Sequence, residues 1–292
     1  MLRRVKTYIK QHELLEDGKP VLVALSGGAD SVALLDVLLR AGYTCFAAHC
    51  NFHLRGEESD RDEAFVRDLC SSRGVDLTVR SFDTLLYACT HNISIEMAAR
   101  DLRYAWFDEL AKGKDCQAIC VAHHQNDQAE TILLNLKRGT GIRGLAGMRP
   151  KSCNPLAPNS LPIVRPLLCT THDYIEHYLR DIRGIKWVVD STNSDTTITR
   201  NAIRAELKSY SKSEIEHICQ TAEYMQGYID MIEGKNSREE KVVRLYEELR
   251  EYGFVEIDKI YEALQKGEGG KTFTSKTHKA TIKKGKLCVT TV

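Results

Sequence analysis

The sequence predicts an α/β protein, a parallel sheet with helices on both faces, followed by a smaller helical domain and a short basic β-like tail. Three observations carry this. Strand-like and helical runs alternate through the first 125 residues, which builds βαβ units with right-handed crossovers. The polar motifs follow strand-like runs, where open parallel sheets bind their ligands. Beyond about residue 211 the composition changes to long amphipathic stretches.

Taken in order, apolar runs at 20–25, 44–49, 77–81 and 118–122 read as strands. Between and after them, 30–40, 57–73, 94–111 and 126–137 carry apolar residues at helical spacing. Residues 148–166 hold four of the six prolines, Pro150, Pro155, Pro158 and Pro162, and read as an irregular surface excursion. Helical character returns at 171–182, and 199–207 reads as a short basic helix. The helical domain follows with 213–232, 238–252 and a shorter 259–265. From 271 onward Lys271, Lys276, Lys279, Lys283, Lys284 and Lys286 stand without an acid, in a stretch that alternates like a hairpin. The expected division is therefore 1–210, 211–268 and 269–292.

Composition narrows the function classes. At 292 residues the chain exceeds one average domain. Hydrophobic and charged fractions of 42% and 28% are those of a soluble globular protein. No apolar run approaches the roughly 18 residues of a membrane span, and Met-Leu-Arg-Arg-Val-Lys at the start has no apolar signal core behind it. The cytoplasm is the expected location. A net charge of +1 gives no global field for nucleic acid, so any RNA-binding surface must be local. The ten cysteines contain no Cys-x-x-Cys pair, and Cys45 and Cys120 lie inside apolar runs, so they read as structural thiols.

The strongest motif is Ser26-Gly27-Gly28-Ala29-Asp30-Ser31, between a strand-like run and a helical one. Glycines let the backbone approach a ligand, amides point outward, and the helix dipole favours an anion. The loop lacks the Gly-Lys-Ser/Thr ending of the common P-loop and carries an acid instead, so Asp30 reads as a Mg²⁺ ligand beside phosphates. The plainer alternative is an ordinary strand–turn–helix corner. His49, Asn51, His53 and Arg55 then form a polar loop after the second strand, with Glu57, Glu58 and Asp60 opening a helix. In His123–Thr131, Asp127 and Glu130 are three apart and share a helix face. They suit Mg²⁺ binding or the holding and deprotonation of an amine, beside the plainer reading of acids in a first turn. Residues 138–148 are glycine-rich and basic, fit for a flexible lid or a polyanion surface. Arg100 with Arg103, and Arg200 with Arg204, are paired at helical spacing and suit phosphates or surface ion pairs equally.

Ser26–Ser31 resembles the signature of the PP-loop ATP pyrophosphatases, with their adenine nucleotide alpha hydrolase-like fold. Together with residues 49–65, 98–104, 123–148, 165–168 and 190–204, it resembles one family among them, the tRNA(Ile)-lysidine synthetases. The matching stretches span residues 20–205 in the family's order. One departure is Asn126, which replaces the first acid of the family's His-x-Asp-Asp-Gln motif and puts the functional weight on Asp127.

The resemblance implies an ATP- and Mg²⁺-dependent carbon–nitrogen ligase. It would join free L-lysine to C2 of cytidine 34 in a tRNA(Ile) with anticodon CAU, through an adenylated cytidine. It assigns Asp30, Asp127, Glu130 and Arg100 to catalysis, with Asp30 holding Mg²⁺. Ser26, Gly27, Gly28, Ala29, Asp30, Ser31, His49 and Arg103 go to the nucleotide. Asn51, Arg55, Asp127, Glu130, Asn193, Arg200, Asn201 and Arg204 go to lysine or tRNA. The helical domain would contact tRNA, and the basic tail would open a C-terminal domain cut short. A homodimer is left open as an assembly, and no membrane is involved. The alternatives are a tRNA-thiolating PP-loop enzyme, disfavoured by the lack of paired cysteines, and a non-catalytic ATP- or RNA-binding module.

Overall fold

The computed structural model describes the chain except residues 154–156, 158, 190–198 and 284, and of residues 199–201 it describes the backbone alone. The chain forms two compact units. The first comprises Met1–Leu134 and Met148–Glu216, the second Asn135–Gly147 and His217–Val292.

The first unit begins with helix α1 (Leu2–Gln11) and strand β1 (Val21–Ala24). Then come α2 (Ala29–Ala41), β2 (Cys45–Asn51), α3 (Glu57–Arg73) and β3 (Asp76–Ser81). Helices α4 (Thr84–His91) and α5 (Ile95–Gly113) lead to the short β4 (Ile119–Cys120) and to α6 (Gln125–Arg138). In the second unit the chain forms α7 (Ile142–Leu145). It then returns to the first unit with β5 (Lys151–Ser152), β6 (Ile163–Val164), α8 (His172–His177), a π-helical turn at Tyr178–Arg183, and α9 (Thr199–Leu207).

The sheet order is β3-β2-β1-β4-β6-β5. All pairings are parallel except that of β5 with β6. Because the chain steps from β1 through β2 to β3 and then restarts at β4 on the other side of β1, the order reverses between β1 and β4. Open sheets bind ligands at such a point, outside the strands' carboxyl ends. Alternation along β1 separates two cores. Val21 and Val23 pack with residues of α1, α2, α3 and α8, while Leu22 packs with Tyr104, Trp106 and Phe107 of α5. Each such fully buried side chain contributes on the order of 1.5–3 kcal/mol.

The four expected strands and the helices between them are present, and α3 spans the expected residues. α1 and α4 were not foreseen. Nor were β5 and β6, which lie in the proline-rich excursion; two-residue strands carry no alternation to detect. The helix expected at 171–182 is α8 continued by the π-helical turn.

The second unit is built from α7, α10 (Lys212–Ile232, beginning in the first unit), α11 (Arg238–Leu249, ending in a 3-10 turn) and α12 (Ile257–Gln265). Its sheet is antiparallel in the order β7-β8-β9 (Thr272–Thr274, His278–Lys283, Lys286–Thr291), one strand more than the expected hairpin. Val242, Leu249, Phe254, Ile260 and Ala280 share one core, so helices and tail strands fold together. α10 and α11 meet at Gly227, where a Cβ would stand 2.3 Å from the Glu239 carbonyl oxygen. Residues 135–147, the glycine-rich basic stretch, belong to this unit through Gln226, whose Nε2 donates to the Ala146 carbonyl at 2.7 Å.

Candidate functional site

The turn after β1 is braced from within. Ser31 Oγ accepts the Ser26 and Gly27 amides, both at 3.2 Å, and donates to the Gly28 carbonyl at 2.9 Å. Gly27 has φ of +95°, and a Cβ there would stand 3.2 Å from Val66 Cγ2, so glycine is required on both counts. Ser31 is buried while Ser26 is exposed. Ser31 thus shapes the loop, and both serines line the cleft that opens from it. Ala29 opens α2, whose first turn presents its amides at the same edge.

A cleft of about 440 Å³ opens from this turn. Ser26, Gly28 and Asp30 line it together with Arg100 and Arg103 from α5 and His123 after β4. Arg100 lies over the Tyr104 ring at 5.2 Å and Arg103 over the Phe52 ring at 5.2 Å. The cleft thus combines a helix N-terminus, two guanidinium groups and aromatic walls, the chemistry that a nucleotide's phosphates and base require.

Three expected contacts lie elsewhere. His49 is buried beneath the turn, its Nδ1 2.8 Å from the Leu25 carbonyl, so it props the loop and does not line the cleft. Burial holds its pKa below the usual histidine value. Asn51 is also buried. Its amide donates to Asp60 at 3.3 Å and Glu63 at 3.0 Å, and its Oδ1 accepts the His53 amide at 3.0 Å. Arg55 pairs with Asp62 at 2.9 Å. The acids at the start of α3 thus engage Asn51 and Arg55 in holding the β2–α3 loop.

The carboxylates expected to act together are divided. Asp127 Oδ2 accepts the His124 amide at 3.0 Å and stands 3.5 Å from His124 Nε2. Glu130 is buried and accepts from Arg204 Nε of α9 at 2.7 Å. Asp30 Oδ1 lies 3.0 Å from His172 Nδ1 and 3.5 Å from His124 Nε2. Burial raises the Asp30 pKa, but the hydrogen bonds from His124 and His172 outweigh it and hold the carboxyl well below its ordinary range. His172 is raised in turn, chiefly by its hydrogen bond to Asp30. For His124, burial lowers the pKa, and Asp127 and Asp30 together overcome it. For His123, burial outweighs the pull of Asp127 and pushes the pKa down to about 4, and its Nδ1 has no hydrogen-bond partner. Asn126, in place of the family's acid, accepts the His172 amide at 3.0 Å through Oδ1. That contact needs an acceptor oxygen and no charge.

The fit to Mg²⁺ rests on Asp30. Mg²⁺ in nucleotide sites takes one or two carboxylates and fills its other positions with phosphate and water. Both imidazoles contact the same oxygen of Asp30, Oδ1, which fixes the carboxylate by outer hydrogen bonds. Asp30, His124 and His172 bring their donor atoms within 4.8 Å of one another. Two nitrogens do not suit Mg²⁺. The Asp127 amide approaches His124 Nδ1 at 3.4 Å, which puts the imidazole proton on Nε2, facing the carboxylates. The trio is therefore a support for Asp30.

Sequence reasoning gave His172 no role, since 142 residues separate it from Asp30 and no spacing connects them. Arg200 and Asn201 lie on α9, whose side chains are described from residue 202, and Asn193 lies outside the described residues. All ten cysteines are free, and among the described residues no three of them gather as metal ligands. Among the described residues no helix is long and apolar enough to cross a membrane.

Residues 1–211 match the family model described as a PP-loop domain, and residues 226–292 match the TilS substrate binding domain. The chain is 45% identical to a tRNA(Ile)-lysidine synthase of Parabacteroides distasonis over 320 aligned positions, covering all of this chain and 70% of that protein. It is 55% identical to one of Bacteroides thetaiotaomicron over 206 positions, 70% of this chain and 46% of that one. The chain thus spans between 46% and 70% of these relatives' lengths. Among solved structures it is similar to the U34-tRNA thiolase NcsA from Methanococcus maripaludis with its [4Fe-4S] cluster. The TM-score is 0.60 at 16% identity, covering 76% of this chain and 77% of that one, a likeness of fold.

Proposed function

The chain belongs to the tRNA(Ile)-lysidine synthase family of PP-loop proteins, and from that premise we propose that it ligates free L-lysine to C2 of cytidine 34 in a tRNA(Ile) with anticodon CAU. ATP is consumed and AMP and pyrophosphate are released. The cytoplasm, where tRNA, lysine and ATP meet, is its place of action.

A pyrimidine C2 carbonyl is a poor electrophile. Attack of its oxygen on the α-phosphate expels pyrophosphate and turns that oxygen into part of a leaving group. The Ser26–Gly28 turn and the α2 amides bind the phosphates, and Arg100 and Arg103 line the same cleft. Asp30 would hold the Mg²⁺, which neutralises charge on pyrophosphate. The ε-amine of lysine must then attack C2 while neutral, although its ordinary pKa is near 10.4. Asp127 holds that ammonium and takes its proton; the amine then bonds to C2 and AMP departs with the oxygen. Of the two carboxylates expected to share this task, Glu130 already faces the Arg204 guanidinium, so the proton goes to Asp127. Arg200, Asn201 and Asn193 remain proposed contacts to tRNA.

The observation that carries this reading is the cleft at the sheet's reversal point, lined by both the phosphate turn and two arginines. The test is stoichiometry. AMP and pyrophosphate should appear together, in equal amounts, only when lysine and CAU-bearing tRNA(Ile) are both present for turnover. Steady release of ADP and phosphate would overturn it.

A further inference from the structure

Beside the nucleotide cleft lies a second one of about 340 Å³, walled by Phe52, Leu54, Phe82, Thr84 and Leu85. We propose that it receives an unstacked base of the anticodon loop, the neighbour of the cytidine that is modified. The inference rests on the tRNA-modifying reading above and extends it to a second nucleotide.

Four observations converge. The first is position. Phe52 follows β2 and Phe82 follows β3, at the carboxyl ends of adjacent parallel strands, and Phe52 lines both this cleft and the nucleotide cleft. A loop whose wobble base enters one cleft must put the adjoining nucleotide within one backbone step, and the shared wall is where that step leads. The second is chemistry. The Phe52 and Phe82 rings stack at 5.5 Å with 24° between planes, Arg103 lies on Phe52, and Arg80 lies 5.5 Å from the Phe82 ring centre. Aromatic rings interleaved with guanidinium groups hold single-stranded bases by their π-faces while the cations meet the flanking phosphates.

The third is an apolar rim open to solvent, with Leu54 44% and Leu85 57% exposed. A soluble surface keeps such leucines together where something covers them. The fourth is Thr84, 1% exposed, whose hydroxyl has no hydrogen-bond partner. A buried hydroxyl left unpaired is costly, and a base edge brings both donors and acceptors. A protein segment would also cover leucines. It would not account for two arginines laid on the ring pair beside an anion-binding cleft.

The experiment uses the full chain and an anticodon stem-loop carrying 2-aminopurine in place of adenine 35, whose fluorescence falls on stacking. Two variants are compared with the unaltered protein. Phe82→Leu keeps apolar bulk against Trp106 but removes the stacking face, and Leu85→Glu sets a charge on an exposed rim in the first turn of α4, where an acid is tolerated. Wild type should quench the probe, and both variants should lose most of the quench. The dissociation constant for the stem-loop should rise roughly 5- to 150-fold, the worth of one stacked base. ATP binding and melting temperature should hold.

Unchanged quench and affinity in both variants would overturn the proposal. So would a wild-type protein that binds the stem-loop without quenching, or that does not bind it. Weakened binding of lysine or ATP with RNA binding intact would assign the cleft to a small molecule and equally overturn it. Lysidine formation by wild type, assayed in parallel, separates the two readings: its absence strikes at the reaction, whereas the quench reports the base site.

Discussion

At the residue scale the site turns on which carboxylate is available. Glu130 is buried against Arg204, and Asp30 is held by two imidazoles. Asp127 lies beside them, half-buried, and its expected role is to receive the lysine proton. Asp127→Asn keeps the size and the acceptor for the His124 amide but cannot take a proton. It should lower kcat for lysine transfer by about 10²- to 10⁴-fold, the usual worth of a general base, and leave the KM for ATP unchanged. Steady-state kinetics with each substrate varied in turn checks this, and unaltered kcat would remove Asp127 from the mechanism. The Ser26–Ser31 loop was legible in sequence because its turn is built from neighbouring residues. The Asp30–His172 contact was not, because only the closing of the sheet brings the two together. Asn51 and Arg55 are held by contacts that the sequence does not show. Their residue types suit a substrate, but in the fold Asp60 and Glu63 accept from Asn51 and Asp62 pairs with Arg55.

At the element scale, two acids make opposite demands on pH. Asp36 of α2 receives Arg73 of α3 at 2.8 Å and, from the π-helical turn, Arg183 at 3.1 Å and the Tyr178 hydroxyl at 2.5 Å. Burial raises its pKa, and these partners outweigh burial and hold it below the ordinary 3.8. Its folded pKa being depressed, its stabilisation is present in full above pH 3.8 and is lost as pH falls through the lower folded value. Asp36→Asn leaves two arginines facing a neutral group and should cost about 3 kcal/mol at pH 7, since both are partly exposed. The gap in melting temperature should narrow below pH 4, as circular dichroism would show. Glu223 of α10 goes the other way. Burial first, then Asp258 and Glu239, push it up to about 7 against the pull of Arg238. The folded state prefers the neutral acid, so this group costs stability as pH rises from its ordinary 4.5 towards 7. Glu223→Gln should therefore raise the melting temperature at pH 8 and change it little at pH 5. A replacement that leaves the melting temperature at pH 8 unchanged, or lowers it, would show that Glu223 is charged in the fold without cost. Helix α3 was legible to the residue because glycines bound it and its last turn closes on Gly74 at φ +63°. β6 was not, because its two residues are a strand only by virtue of the β4 edge that they pair with.

At the scale of the whole chain, a net charge of +1 means that contact with RNA depends on where cations gather. Residues 226–292 of the second unit match a TilS substrate binding domain, and its sheet carries Lys271, Lys279, Lys283 and Lys286 on or beside its strands. Phosphate contacts release counterions, so replacing three of these lysines with glutamine should weaken tRNA binding uniformly across tRNA sequences. The slope of log K against log salt should become shallower by about two to three. A salt slope unmoved by the triple replacement would exclude the tail from the interface. The tail's alternation was visible in sequence, but its third strand and its shared core with α11 and α12 were not. Ala280 is buried against those helices, and nothing in a lysine-rich run announces that.

The central claim is that this chain transfers lysine to one tRNA and not to another with the same anticodon. Its most direct test is to incubate the protein with ATP, Mg²⁺ and radiolabelled lysine, with tRNA(Ile) bearing CAU in one reaction and tRNA(Met) bearing CAU in the other. Label should enter the isoleucine tRNA alone, at cytidine 34. Label in neither tRNA while ATP binds, or label in both alike, would contradict the account.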